Sequence, residues 1–131
     1  MDTAHYLCDY FAMLKKQFRL KKQSAFAATY RIKNSYHLDG IVLWVGKKKD
    51  DLKFPTKAGF VVSKKTHKRA VKRNRLKRLM RESYRILQKE DSLGNSQNFM
   101  SLIFVGFEKA LDKDFGEMKD VIYRLISKIR G

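Results

Sequence analysis

Three short stretches of the chain are apolar almost without interruption, and three others carry apolar residues at helical spacing. Residues 41–45 (Ile-Val-Leu-Trp-Val), 58–63 and 99–107 are rich in β-branched and aromatic residues and predict strands. Residues 24–33 predict a short helix in which Ser24 is the candidate N-cap and Phe26 and Tyr30, four apart, share a face. Residues 67–89 predict a long helix with Leu76, Met80, Ser83 and Leu87 on one stripe and Leu79 beside it. In the last segment Phe115, Met118, Ile122, Leu125 and Ile129 recur at three- and four-residue steps, behind Asp114 and Glu117 at capping-box spacing. Asp39-Gly40, the run at 47–53 ended by Pro55, and Leu93-Gly-Asn-Ser96 separate these elements. The expected order is α-β-β-α-β-α, an α+β (α/β sandwich) fold with a small central sheet covered by helices. Residues 1–17 are expected to be a loose extension and 18–131 a single domain; residues 1–12 lie outside the expected working domain, with Met13 a candidate start.

Charge sharpens the picture. Thirty Lys and Arg against 13 Asp and Glu give a formal +17, more than solubility requires, and its commonest physical use is to neutralise a polyanion. Residues 64–89 hold twelve of these cations and one acid, Glu82. Asn74, Arg78, Arg81 and Arg85 repeat the spacing of the apolar stripe on nearly the opposite side of the helix. Like charges four residues apart repel by a few tenths of a kcal/mol per pair, so a helix that accumulates them needs an outside anion. Arginine on that stripe suits forked contacts to phosphate and stacking on bases.

Other chemistry is absent from the sequence. Cys8 is alone, which excludes an internal disulfide and a cysteine-based zinc site and fits a reducing cytoplasmic compartment. His5, His37 and His67 have no metal-ligand spacing, and no carboxylate pair or Gly-rich phosphate loop stands among the basic residues. Catalytic and metal-ligating side chains are therefore expected to be none. The apolar runs are strand length, too short for a membrane span, and the faintly signal-like stretch at 6–14 is interrupted by Asp9 and lacks a cleavage site.

The ordered run Lys64-Lys-Thr-His-Lys-Arg-Ala-Val-Lys-Arg-Asn-Arg-Leu-Lys-Arg-Leu-Met-Arg-Glu-Ser-Tyr-Arg85 resembles the signature of bacterial ribonuclease P proteins. Its core is Arg73-Asn74-Arg75, then Lys77-Arg78-Leu79 and Arg81-Glu82, with Lys64-Lys65 at the usual distance before it. Arg19-Leu-Lys-Lys22 with Phe26 and Tyr30 is similar to the family's opening basic segment and aromatic helix, and Ile41-Val-Leu-Trp44 to its first core strand. The resemblance spans about residues 18–107.

That resemblance implies a left-handed crossover through the basic helix, where general rules predict a right-handed one. It implies a catalytic RNA that cleaves the 5′ leader from precursor tRNA with Mg²⁺, the protein itself holding no tightly bound cofactor. The protein would support that RNA, grip the leader and widen the substrate range. By position, Lys68, Arg69, Arg73, Asn74, Arg75, Lys77, Arg78, Arg81 and Arg85 face the catalytic RNA. Phe26, Tyr30 and Trp44 line the leader cleft, with Lys64 and Lys65 beside it. Read from the residues alone, those three aromatics are ordinary core; only the resemblance turns them into a stacking surface, which would tolerate any base. The chain departs from the family at Tyr30 and Trp44, where Phe or smaller aromatics are common, and at Lys33, where glycine often follows the first helix. The implied partners are ribonuclease P RNA and precursor tRNA, with no membrane and no obligate protein partner. A ribosomal or other structural RNA-binding protein, a DNA-binding module using helix 67–89, and a membrane-surface role remain the alternatives on charge and size.

Overall fold

Asp39 and Gly40 both take positive φ, 52° and 86°, and turn the chain back on itself as a tight hairpin requires. The computed structural model of the chain describes residues 14–130. The hairpin pairs β1 (Asn34–Leu38) with β2 (Ile41–Val45), and a side chain at Gly40 would collide with the backbone nitrogen of Ala110 at 2.8 Å. The remaining elements are α1 (Gln23–Arg31), β3 (Lys57–Val62), α2 (Ala70–Lys89), β4 (Ser101–Gly106) and α3 (Phe115–Ser127). All six expected elements stand in the expected order, giving the α+β class. β1 is additional: Asn34-Ser-Tyr-His-Leu38 is too polar to read as a strand, and it forms because an edge position buries little of it.

The sheet order is β1-β2-β4-β3. β1–β2 and β2–β4 are antiparallel, whereas β3 and β4 run parallel and are joined through α2. Alternation divides the two faces. Leu43, Val45, Leu102, Phe104 and Val62 meet Leu76, Met80, Tyr84, Met118, Ile122 and Leu125 of α2 and α3 in the core. The Phe60 and Phe104 rings stack at 5.6 Å, and Tyr84 closes on both at 6.0 and 5.7 Å. Gly59 and Ser101, one step out of phase, meet α1 on the other face. A Cβ on Gly59 would lie 2.6 Å from the Phe26 ring, and Thr29 Oγ1 shares a hydrogen bond of 2.5 Å with Ser101 Oγ.

Local signals succeed unevenly. The capping box of α3 is formed: the Glu117 backbone N–H donates to Asp114 Oδ1 (2.8 Å), and the Asp114 N–H donates to Glu117 Oε1 (3.1 Å). Ser24 is not the cap of α1; Lys22 occupies that position without a side-chain bond. α2 begins at Ala70, three residues later than expected, because residues 63–69 form a turn. Lys33 takes φ 59°, a left-handed conformation that accounts for the glycine preferred after this helix. Leu14 is buried, Arg19 Nε donates to its carbonyl at 2.6 Å, and the Leu20 N–H donates to Ala58 O at 2.9 Å. The packed body thus reaches back past residue 18, because residues 14–20 cover the free edge of β3. Residues 1–13 of the expected extension lie outside the described residues.

Candidate nucleic-acid interface

The cationic stripe of α2 does not behave uniformly along the helix. Asn74 and Arg78 are exposed and Arg81 is half-buried. No acid pairs with Arg78 or Arg81 among the described residues. Burial, together with the charges of Arg19 and Arg78, pulls the Arg81 guanidinium below its ordinary pKa. A partly desolvated cation in the field of two others is destabilised until an anion arrives. Arg19 belongs to the basic segment ahead of α1, and no helical periodicity links it to the stripe. Folding brings it to Arg81 because residues 14–20 run along β3.

Arg85, the last residue of the stripe expected to face RNA, is largely covered. It is 93% covered, leaving 7% exposed, and its guanidinium holds Glu82 through both Nη2 and Nε, the latter at 3.2 Å. Glu82, the helix's one interior acid, lies three residues earlier, within side-chain reach. Tyr84, four residues after Met80 and so beside the apolar stripe, is fully buried. The Tyr84 hydroxyl, pushed up to about 12 by burial, accepts a hydrogen bond from Gln97 Nε2 at 3.3 Å.

The Arg73-Asn74-Arg75 motif is likewise part structural. Arg73 Nη1 donates to His67 O (2.8 Å) and Lys68 O (2.7 Å), closing the turn that leads into α2. Arg75 donates to Leu111 O (3.0 Å) and Lys113 O (3.3 Å), tying α2 to the segment that follows β4. Each guanidinium has five N–H donors, so these bonds orient both residues while leaving donors for an incoming oxygen. Lys68 and Arg69 are exposed at the head of the helix, and Lys77 is half-buried beside the stripe.

On the opposite face of the sheet the aromatics do come together in part. Tyr30 and Trp44 pack edge to face with centroids 5.2 Å apart and planes at 82°. Phe26 lies over Gly59, where the absent side chain admits its ring. All three are half-buried, neither sealed in the core nor free, and partial burial raises the Tyr30 hydroxyl pKa. Thr29 fixes the rotation of α1 that presents them, bonding both Ser101 and Ala25 O. Lys64 and Lys65 are exposed in the turn after β3, and their side chains make no hydrogen bond or ion pair among the described residues.

Among the described residues no group of three or more His, Cys, Asp and Glu is placed to hold a metal ion. No helix among them is long and apolar enough to cross a membrane.

The family pattern described as Ribonuclease P matches residues 14–130. The ribonuclease P protein component of Clostridium botulinum (strain Loch Maree / Type A3) is 32% identical over 114 residues, covering 86% of this chain and 95% of that protein. That of Thermoanaerobacter sp. (strain X514) is 33% identical over 116 residues, covering 88% and 92%. Among solved structures, the RNase P protein from Thermotoga maritima superposes with a TM-score of 0.70 at 23% identity, covering 86% of this chain and 98% of the other.

Proposed function

The chain belongs to the ribonuclease P protein family, and on that premise we propose that it is the protein subunit of a ribonucleoprotein endonuclease that removes the 5′ leader from precursor tRNA. The RNA subunit cleaves and carries the Mg²⁺; the protein holds that RNA and the leader and so broadens the range of substrates accepted. The observation that carries this reading is the pair of uncompensated cations Arg78 and Arg81, in one row with the exposed Asn74, on a helix whose other side is locked into the core. Such a row is stabilised only by an external polyanion, and a rigid helix offers it in fixed register to a folded RNA. Arg73, Arg75, Lys77, Lys68 and Arg69 extend the same surface, whereas Arg85 serves it by fixing Glu82.

Phe26, Tyr30 and Trp44 suit a different segment. Half-buried rings keep part of their surface open, and aromatic surface stacks on bases of any sequence, which is what a variable single-stranded leader demands. Lys64 and Lys65 supply phosphate contacts at the end of β3. The work is cytoplasmic on this reading, where precursor tRNA is processed.

Reconstitution tests it. Protein alone should cleave nothing, and protein with its RNA should cleave precursor tRNA at Mg²⁺ concentrations where the RNA alone is slow. Cleavage by the purified protein unaided, with contaminating nuclease excluded, would refute the division of labour.

A further inference from the structure

α1 has a second flank. Turned away from Phe26 and Tyr30, the small side chains of Ala25 and Ala28 border a groove of about 720 Å³, closed on its far side by the loop after β2 and the start of β4. Three large apolar side chains stand open to solvent in it: Ile32 (48% exposed), Phe54 (60%) and Met100 (38%). At the N-terminal end of α1 the groove runs into a concavity of about 520 Å³, the two sharing Gln17, Leu20, Ala25 and Lys57. Lys16, Arg19, Lys21 and Lys22 line that concavity with Lys57.

Among the described residues no carboxylate lines either space. Among the described residues Lys16, Lys21, Lys22 and Lys57 form no ion pair. The first turn of α1 contains no acid, so its dipole adds to the positive field. An apolar trough continuous with an unneutralised basic basin matches single-stranded nucleic acid, whose bases need a hydrophobic platform and whose phosphates need cations. An apolar peptide would leave the basin unpaired. A duplex would leave Phe54 and Met100 exposed, since its bases are already stacked.

We infer that this groove is a second single-strand site, which takes leader nucleotides farther from the cleavage point than those held by Phe26, Tyr30 and Trp44. The inference rests on the reading of the aromatic face as the leader's first site. α1 has nine residues, so it is only about 14 Å long, and a strand leaving the aromatic flank rounds its end within a short distance. The leader would thus wrap the helix, with bases stacked on both of its flanks and phosphates meeting Lys21, Lys22 and Lys57.

Holoenzyme reconstituted with its RNA should be titrated with precursor tRNAs whose leaders are lengthened stepwise, using Phe54→Ala, the pair Lys21→Ala and Lys57→Ala, and Tyr30→Ala. All four side chains have exposed surface, and thermal denaturation of each variant checks that the fold is kept. Phe54→Ala should weaken binding of long-leader substrate about tenfold, the equivalent of one stacked base, with a much smaller effect on the shortest leader. The lysine pair should do the same and flatten the salt dependence for the long leader only. Equal losses at every leader length, as a site for a protein partner or for the catalytic RNA would give, overturn the inference, as does no loss at all. Tyr30→Ala separates the two readings. If it weakens short-leader binding while the groove variants are silent, only the second site fails; if it leaves leader discrimination untouched, the first reading fails.

Discussion

The two faces of the sheet are built from similar residues and finished differently. Toward α2 and α3, Leu43, Val45, Leu102 and Phe104 have no exposed surface, because two long helices lie side by side over them. Toward α1, a nine-residue helix covers only part of the sheet, and Trp44, Val61 and Val105 stay half-buried around a buried Ile103. The difference separates stability from recognition. The closed face can lose nothing without a cavity, whereas the open face keeps aromatic surface that folding alone does not consume. The cations follow the same division. They project from the outer side of α2, where a rigid core fixes them, and from the start of α1, where the groove is open.

The sharpest way to break the comparison is to truncate matched aromatics on each face. Phe104→Ala should lower unfolding free energy by about 3–5 kcal/mol, since it removes a fully buried ring stacked on Phe60 and tilted on Tyr84. Trp44→Ala should cost less stability and more affinity for leader-bearing substrate. Denaturant titration beside a binding assay decides; a larger stability loss at Trp44 would mean that the open face is core after all.

Tyr84 offers a test by pH. Burial raises its pKa to about 12, against about 10 for an unfolded tyrosine. Below pH 10 both states are protonated and the group has no effect on the slope. Above it the unfolded chain loses the proton first, so stability falls by about 1.4 kcal/mol per pH unit until the folded hydroxyl ionises as well. Tyr84→Phe should remove that slope between about pH 10 and 12 at the expense of the Gln97 hydrogen bond. Parallel curves for the two proteins would show that the hydroxyl is hydrated in the folded state.

Within α2 the same contrast recurs over two turns. Arg85→Ala should destabilise the fold by about 1–3 kcal/mol, because it removes the partner of Glu82 from a covered site, and should leave the salt slope of RNA binding unchanged. Arg78→Ala together with Arg81→Ala should do the reverse, with stability nearly constant and the slope of log K against log salt reduced by about 0.7–0.9 per lost phosphate contact. A reduced slope for Arg85→Ala would return that residue to the RNA-facing surface.

The sequence was legible where one local rule decided the outcome. Hydrophobic period placed α2, α3 and three strands, and Asp114 with Glu117 marked a cap that is present. It was illegible where tertiary contacts decided. β1 is polar because it sits at an edge, and Leu14 is core because residues 14–20 cover β3. Arg85 shares the spacing of Arg78 and Arg81, and no periodicity distinguishes a covered guanidinium from an exposed one. The groove beside α1 left no pattern either, since Ile32, Phe54 and Met100 come from three separate segments.

The smallest effect probes how α1 is joined to the sheet it half covers. Lys33 holds φ 59° directly between α1 and β1, a conformation that disfavours a side chain by about 1–2 kcal/mol relative to glycine. Part of that gain is lost, because glycine also frees the unfolded chain by about 0.4–1 kcal/mol. Lys33→Gly should therefore stabilise the protein by up to about 1.5 kcal/mol, read as a higher denaturant midpoint at constant m-value. The Lys33 side chain is exposed and makes no hydrogen bond or ion pair among the described residues, so no contact there offsets the gain. Leader affinity discriminates further. If it is unchanged, the left-handed residue serves only to aim α1 at Gly59 and Ser101. If it falls while stability rises, a lysine has been kept in a strained position for its charge, and the binding surface of the open face extends to the end of the helix.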